Sequence, residues 1–209
     1  MDDGQVAALN QLLRTFIERH EAQAPVGAAV SMHARRIAEF AQQTPTPWRS
    51  ARVPSEPHRA PHIAGHITAS AWVLNAARTH AALVHHRKLE RWLQPGGHVE
   101  ESDSSWLAAS RREVMEETGL TALTLSPQYG AELFDVDVHD IPERVATPTR
   151  HAEPAHTHFD LRFLWIAGSA QSLALNCDES LGVQWFELSA LAADDALDES
   201  VRRMARYRV

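Results

Sequence analysis

A glycine pair that runs into a helix with three acids on one face constrains this chain more than any other stretch. Trp92-Leu-Gln-Pro-Gly-Gly-His-Val99 reads as a tight loop with a short strand, and Ser104 to Glu117 as a helix that Gly119 is placed to stop. Asp103 or Ser104 is available as its N-cap. Glu113, Glu116 and Glu117 stand at i, i+3 and i+4, so they share one helical face. No lysine interleaves with them. Arg112 lies N-terminal to Glu116, the poorer orientation for a helical pair, and the acids sit near the negative end of the helix dipole. Each choice costs roughly a few tenths of a kcal/mol. A divalent cation reverses the sign of those costs, because hard Mg²⁺ takes carboxylate, water and phosphate oxygens. The opposite face is apolar through Leu107, Val114 and the alanines between. Such a helix packs on a sheet while showing its acids to a cleft. The glycines let backbone approach that cleft, and a carbonyl there adds a ligand.

Around this segment the texture is that of a mixed sheet. His66–Leu74 and Ala81–His85 read as strands with a turn around Asn75; further strands are predicted at 131–138, 157–167 and 182–188, and a closing helix at 189–193. The irregular alternation predicts helices on the faces of the sheet. Upstream, Val6, Leu9, Leu12, Leu13, Phe16 and Ile17 recur at helical spacing, and a second helix is predicted from Ala28 to Gln42. Five prolines between Pro45 and Pro61 make the next stretch an irregular connection.

Gly97, five residues, Asp103, then Arg112-Glu-Val-Met-Glu-Glu-Thr-Gly-Leu120 resembles the Nudix box of the Nudix hydrolases. Two departures from that pattern are visible. The first acid is Asp instead of Glu, and eight residues instead of seven separate it from Arg112. Trp92-Leu-Gln-Pro-Gly-Gly and Asp178-Glu179…Trp185-Phe186-Glu-Leu extend the resemblance from about residue 62 to about residue 193.

The resemblance implies an α/β/α sandwich around a mixed sheet. Residues 1–60 would be a helical N-terminal extension with its proline-rich connection, 61–193 the Nudix domain and 194–209 a C-terminal helical tail. It implies hydrolysis of a diphosphate linkage in a nucleoside diphosphate joined to another group. Glu113, Glu116, Glu117 and the Gly96 carbonyl would hold Mg²⁺ or Mn²⁺, and Arg112 would orient a box glutamate. Glu179, before a tryptophan-bearing strand, resembles the extra glutamate that acts as a ligand or as the base, with Asp178, Glu143 and Glu153 as rivals. A Nudix-fold regulator that binds a nucleotide without turnover is the competing reading, and the intact acids argue against it. A related isomerase would use a cysteine, and Cys177 lies far from the box.

Other residues offer secondary contacts. On strands, Asp135, Asp137 and His139 share one face, as do His156, His158 and Asp160, and two such stripes can meet substrate phosphate, a sugar or a further metal. Trp92, beside the glycine loop, is the tryptophan best placed to stack a base. The four arginines at 202–208 read as a solvated helix face.

Composition narrows the partners. Of a net charge of −7 over 209 residues, the segment 61–200 alone carries −12, a poor surface for nucleic-acid backbone. No apolar run approaches the ~18–20 residues of a membrane span. One cysteine makes neither an intrachain disulfide nor a cysteine zinc cage. Met1-Asp2-Asp3-Gly4 has no basic or apolar leader character, which points to a cytoplasmic address. The Nudix resemblance implies a small nucleotide-type diphosphate as substrate, and the apolar N-terminal helix offers a surface for a homodimer.

Overall fold

A parallel pair of long strands forms the spine of the protein. In the computed structural model, β1 (Gly65–Leu74) runs beside β7 (His156–Ala167), in register from Gly65 opposite Thr157 to Leu74 opposite Ile166. The structure describes residues 3–21, 26–44, 47, 65–87, 89–143, 145, 154–175 and 180–209. The other elements are α1 (Asp3–Glu21), α2 (Val26–Gln43), β2 (His80–His86), β3 (Arg91–Leu93), β4 (Gly96–His98), α3 (Trp106–Thr118), β5 (Leu123–Leu125), β6 (Asp135–Ile141), β8 (Ser180–Glu187), α4 (Leu188–Ala193) and α5 (Glu199–Arg206).

The eight strands form one mixed sheet whose main path is β3-β2-β1-β7-β5. Among the described residues, every strand pairing except β1 with β7 is antiparallel. The free side of β1 is shared: β2 pairs it at Leu74 and β4 pairs it at Thr68–Ser70. The far side of β7 is likewise divided between β5 and β6.

Because side chains alternate along a strand, the spine has two distinct faces. Ile67, Ala69, Ala71 and Val73 of β1 and Phe159, Leu161, Phe163 and Trp165 of β7 point one way. They meet Leu9, Leu13 and Phe16 of α1, Ile37 and Phe40 of α2, and Trp106, Ala109 and Val114 of α3. Phe40 stacks on Phe159 with ring centroids 4.1 Å apart. Each such fully buried side chain contributes about 1.5–3 kcal/mol relative to exposure. The stripe of α1 is therefore covered within one chain.

The other face is divided. At one end Trp72, Leu74, Leu83 and Leu164 pack under Leu191 of α4 and Val201 and Met204 of α5. At the other it is polar: His66, Thr68 and Ser70 on β1, His158, Asp160 and Arg162 on β7, and Asp135, Asp137 and His139 on β6. Helices on both faces of a mixed sheet make the α/β/α arrangement, with α1 and α2 as the N-terminal helical region.

Three details differ from the sequence reading. β6 begins at Asp135, not at 131, because residues 131–134 turn into the strand instead of pairing. The short strand β5 was not anticipated; three residues carry no readable period. Arg203 leaves the solvated face of α5, since its guanidinium donates to both oxygens of the fully buried Asp135 at 3.1 and 2.7 Å. Arg202 and Arg206 do stay on an acid-paired surface, with Glu199 at 2.6 and 3.0 Å. The proline-rich stretch at 48–64, Cys177 and most of the 141–154 loop lie outside the described residues.

Candidate active site

The helix α3 owes its place to its caps. Ser105, neither Asp103 nor Ser104, is the N-cap, and its hydroxyl accepts from the Ala108 N–H at 3.1 Å. Gly119, at φ 71°, ends the helix and its N–H returns to the Met115 carbonyl. Asp103 is unavailable for capping because it is held elsewhere. Its Oδ2 accepts from the Glu100 N–H at 2.8 Å, and its two oxygens take Arg112 Nε and Nη2 at 3.1 and 3.0 Å. The shorter acid and the extra spacer residue thus still deliver a bidentate carboxylate to Arg112. The N-terminal helices brace the same entry: Gln5 Nε2 donates to the Ser104 carbonyl at 2.8 Å.

Arg112 is a hub. Its Nη1 donates to Glu113 Oε1 at 2.9 Å and to Glu116 Oε2 at 3.0 Å, and its Nη2 donates to the His98 carbonyl at 2.8 Å. Burial works against its charge, but Asp103 and Glu113 outweigh it and hold the guanidinium above its ordinary value. Glu113 is enclosed. Burial pushes its carboxyl up to about 7, Glu116 and Asp103 add to the rise, and Arg112 opposes it.

The glycines explain how the backbone reaches these acids. A Cβ at Gly97 would stand 3.0 Å from both carboxylate oxygens of Glu113, and one at Gly96 would stand 2.6 Å from Ser70 Cα. The Gly96 N–H donates to Glu117 Oε2 at 2.9 Å, and the hydroxyl of Ser180, the first residue of β8, lies 3.5 Å from Glu117 Oε1. Glu117 is buried, whereas the Glu116 side chain is 53% exposed. So Gly96, Gly97, Arg112, Glu113, Glu116 and Glu117 come together at one end of α3. Residues 65–207 match the NUDIX domain family model.

The chain belongs to the Nudix hydrolase family.

No curated protein matches the sequence significantly. Among solved structures, a C. elegans Ap4A hydrolase in a binary complex is 18% identical, with 67% of this chain and 92% of that chain covered and a TM-score of 0.47. A NUDIX-family hydrolase from Clostridium perfringens is 24% identical over 67% of this chain and 93% of its own, with a TM-score of 0.47. The E. coli dihydroneopterin triphosphate pyrophosphohydrolase is 18% identical over 66% and 91%, with a TM-score of 0.45.

Outside the Nudix box, the other candidates separate into two groups. Asp160 is turned inward: its Oδ1 accepts from Thr68 at 3.0 Å and Ser70 at 2.7 Å, and its Oδ2 from Arg162 Nε at 2.8 Å. Arg162 is itself buried and also donates to Asp135 at 3.1 Å and Asp137 at 3.3 Å. Burial tends to raise the Asp137 carboxyl, yet Arg162 and two histidines, His139 and His33, win and hold it well below the usual carboxylate range. Asp160 therefore braces the sheet, and its oxygens are already taken. Trp92 is half-buried, with its ring 5.1 Å from His85 and 4.9 Å from Phe186.

His139, His156 and His158 do come together, and they bring two histidines the sequence reading did not single out. His66 pairs in register with His158 across the spine, and their ring centroids are 4.6 Å apart. His98 of β4 stacks on His66 at 4.7 Å. Burial, reinforced by the neighbouring histidines, pushes His66 down to about 3 and His158 down to about 2, so both are neutral at pH 7. The signal was present as His66, Thr68 and Ser70, three polar residues alternating along an apolar strand. Glu179 lies outside the described residues, while its neighbour Ser180 approaches Glu117 as given above.

Proposed function

We propose that this protein is a divalent-cation-dependent pyrophosphohydrolase acting on a nucleoside diphosphate linked to another moiety. The observation that carries the reading is the enclosed Glu113 carboxyl, raised to about 7 and cradled by a glycine whose Cβ would fill the space, beside Glu116 and Glu117. A buried acid of that kind is relieved by a hard cation, and the oxygen donors suit Mg²⁺, with Mn²⁺ as the alternative. Gly96, Glu113, Glu116 and Glu117 are the residues that would hold it. When bound, it supplies neutralisation of phosphate charge and a more acidic water.

The chain's own residues do the rest. Arg112 fixes Glu113 and Glu116 through one nitrogen, so neither carboxylate swings away when substrate enters. Gly96 holds Glu117 through its N–H. Glu179, the residue before β8 in the sequence, takes the proton from the attacking water; a base outside α3 can adjust to the substrate while the helix acids stay fixed. Trp92 stacks a base, and His139, His156 and His158 meet the rest of the substrate. The net charge of −12 over residues 61–200 disfavours a nucleic-acid partner.

The test is a panel of nucleoside triphosphates, nucleotide sugars, ADP-ribose and dinucleoside polyphosphates with Mg²⁺ or Mn²⁺, followed by product identification. Cleavage within the diphosphate supports the reading. Binding without turnover across the panel, by a protein that takes up Mg²⁺, would replace it with a nucleotide sensor.

A further inference from the structure

We propose that His66, His98 and His158 form a zinc site on the face of the sheet opposite α3. Among the described residues, these are the three metal-ligating side chains whose donor atoms gather, all within 4.8 Å of one another. They come from three strands, β1, β7 and β4, and the pairing of His66 with His158 fixes their register. The site is independent of the box carboxylates. Along β4, Gly97 faces Glu113 while the His98 ring stacks on His66. It does not rest on the hydrolase reading.

A second observation points to a ligand. His66 is 1% exposed, and neither of its ring nitrogens has a hydrogen-bond partner. A buried polar group left in that state is destabilising, and a bound cation offsets the loss. His158 is oriented for the task. The Nδ1 of His156 can only donate to the Pro154 carbonyl, 2.9 Å away, so in the neutral ring Nε2 accepts. The His158 Nε2, 3.1 Å from it, then carries the proton, which leaves Nδ1 of His158 as the bare lone pair. A ligand histidine whose other nitrogen is tied in this way is the usual arrangement.

The donor set selects the cation. Three imidazoles suit Zn²⁺ and not Mg²⁺. Tetrahedral Zn–N bonds would bring the donors to about 3.4 Å apart, so the rings must close by up to about 1.4 Å. His98 is the exposed member, on a three-residue strand, and its ring would make the larger part of that movement. Three protein ligands leave a fourth position for water or for an anionic group of a substrate.

The experiment is a Co²⁺ titration of the metal-stripped full chain, followed by visible absorption, with Zn²⁺ added afterwards to displace it. Low-coordinate cobalt on imidazoles absorbs strongly, whereas octahedral cobalt on carboxylates absorbs weakly. One strongly absorbing Co²⁺ per chain is expected, displaced by Zn²⁺. His98→Ala and His158→Ala should each weaken it by at least about 100-fold, while Glu117→Gln should leave it unchanged. His98→Ala alters an exposed position, and its folding is checked by circular dichroism. The inference is overturned by the absence of a strong band, by a band that survives both histidine substitutions, or by a band lost in Glu117→Gln. A chain that hydrolyses nothing but keeps the band would sink the proposed function alone.

Discussion

Acidification should destabilise the metal-free protein through His66 and His158, against an opposing contribution from Glu113. The histidines have native pKa values near 3 and 2, below the 6.5 of the unfolded chain. Their contribution is thus complete above about pH 7.5 and is lost as pH falls through 6.5, because the unfolded chain then binds protons that the native sheet refuses. From pH 8 to pH 5 each histidine should withdraw about 2 kcal/mol. Glu113 has the opposite sign. Its native value is raised to about 7 from 4.5, so the native state gains protons first. Over the same interval it should return about 2.5 kcal/mol. The wild type should therefore lose only about 1.5 kcal/mol, out of a typical domain stability of about 5–15 kcal/mol. Urea unfolding at pH 8 and pH 5, with EDTA present and tryptophan fluorescence as the signal, reads these differences. His158→Gln should remove about 2 kcal/mol of the acid loss, and Glu113→Gln should deepen the loss to about 4 kcal/mol. Identical pH dependence in the wild type and both variants would refute the reasoning.

Three other outcomes follow from the same contacts. Gly97→Ala should lower kcat or metal affinity by at least tenfold with little change in melting temperature, since the new Cβ would press on both Glu113 oxygens at 3.0 Å. Arg162→Met should cost about 3–5 kcal/mol in urea unfolding, because it removes the buried cation that Asp135, Asp137 and Asp160 share. Glu179→Gln should cut kcat strongly while calorimetry finds Mg²⁺ binding to the free enzyme nearly intact; a dead Glu143→Gln or Glu153→Gln beside an active Glu179→Gln would move the base into the 141–154 loop.

The box and the spine were legible for a physical reason. An acidic stripe at helical spacing and a buried strand each leave a period in the chain, so α3, β1 and β7 could be read to within a residue or two. The role of Asp103 could not be read, because its partner Arg112 is nine positions away and only the folded loop joins them. Arg203 carried no mark that distinguished it from Arg202; the buried Asp135 that claims it is 68 residues distant. His66 and His98 carried no mark of joining the other histidines for the same reason. His66, His98 and His158 are neighbours only through strand pairings, and a parallel pairing in particular leaves no local trace. That Thr68 and Ser70 occupy Asp160 could not be read either, because alternation gives the face of a strand but not whether that face is already satisfied.

The central claim is that α3 carries a cation-dependent hydrolytic site. The most direct measurement is turnover of the best substrate from the panel by the wild type and by Glu117→Gln, each in EDTA and again after Mg²⁺ is restored. The wild type should be silent in EDTA and recover with Mg²⁺. Glu117→Gln should fold normally and, with Mg²⁺, run at least ~10²-fold slower, a loss of about 2.7 kcal/mol of transition-state stabilisation. Near-normal turnover by Glu117→Gln, or wild-type activity that persists in EDTA, would contradict the account.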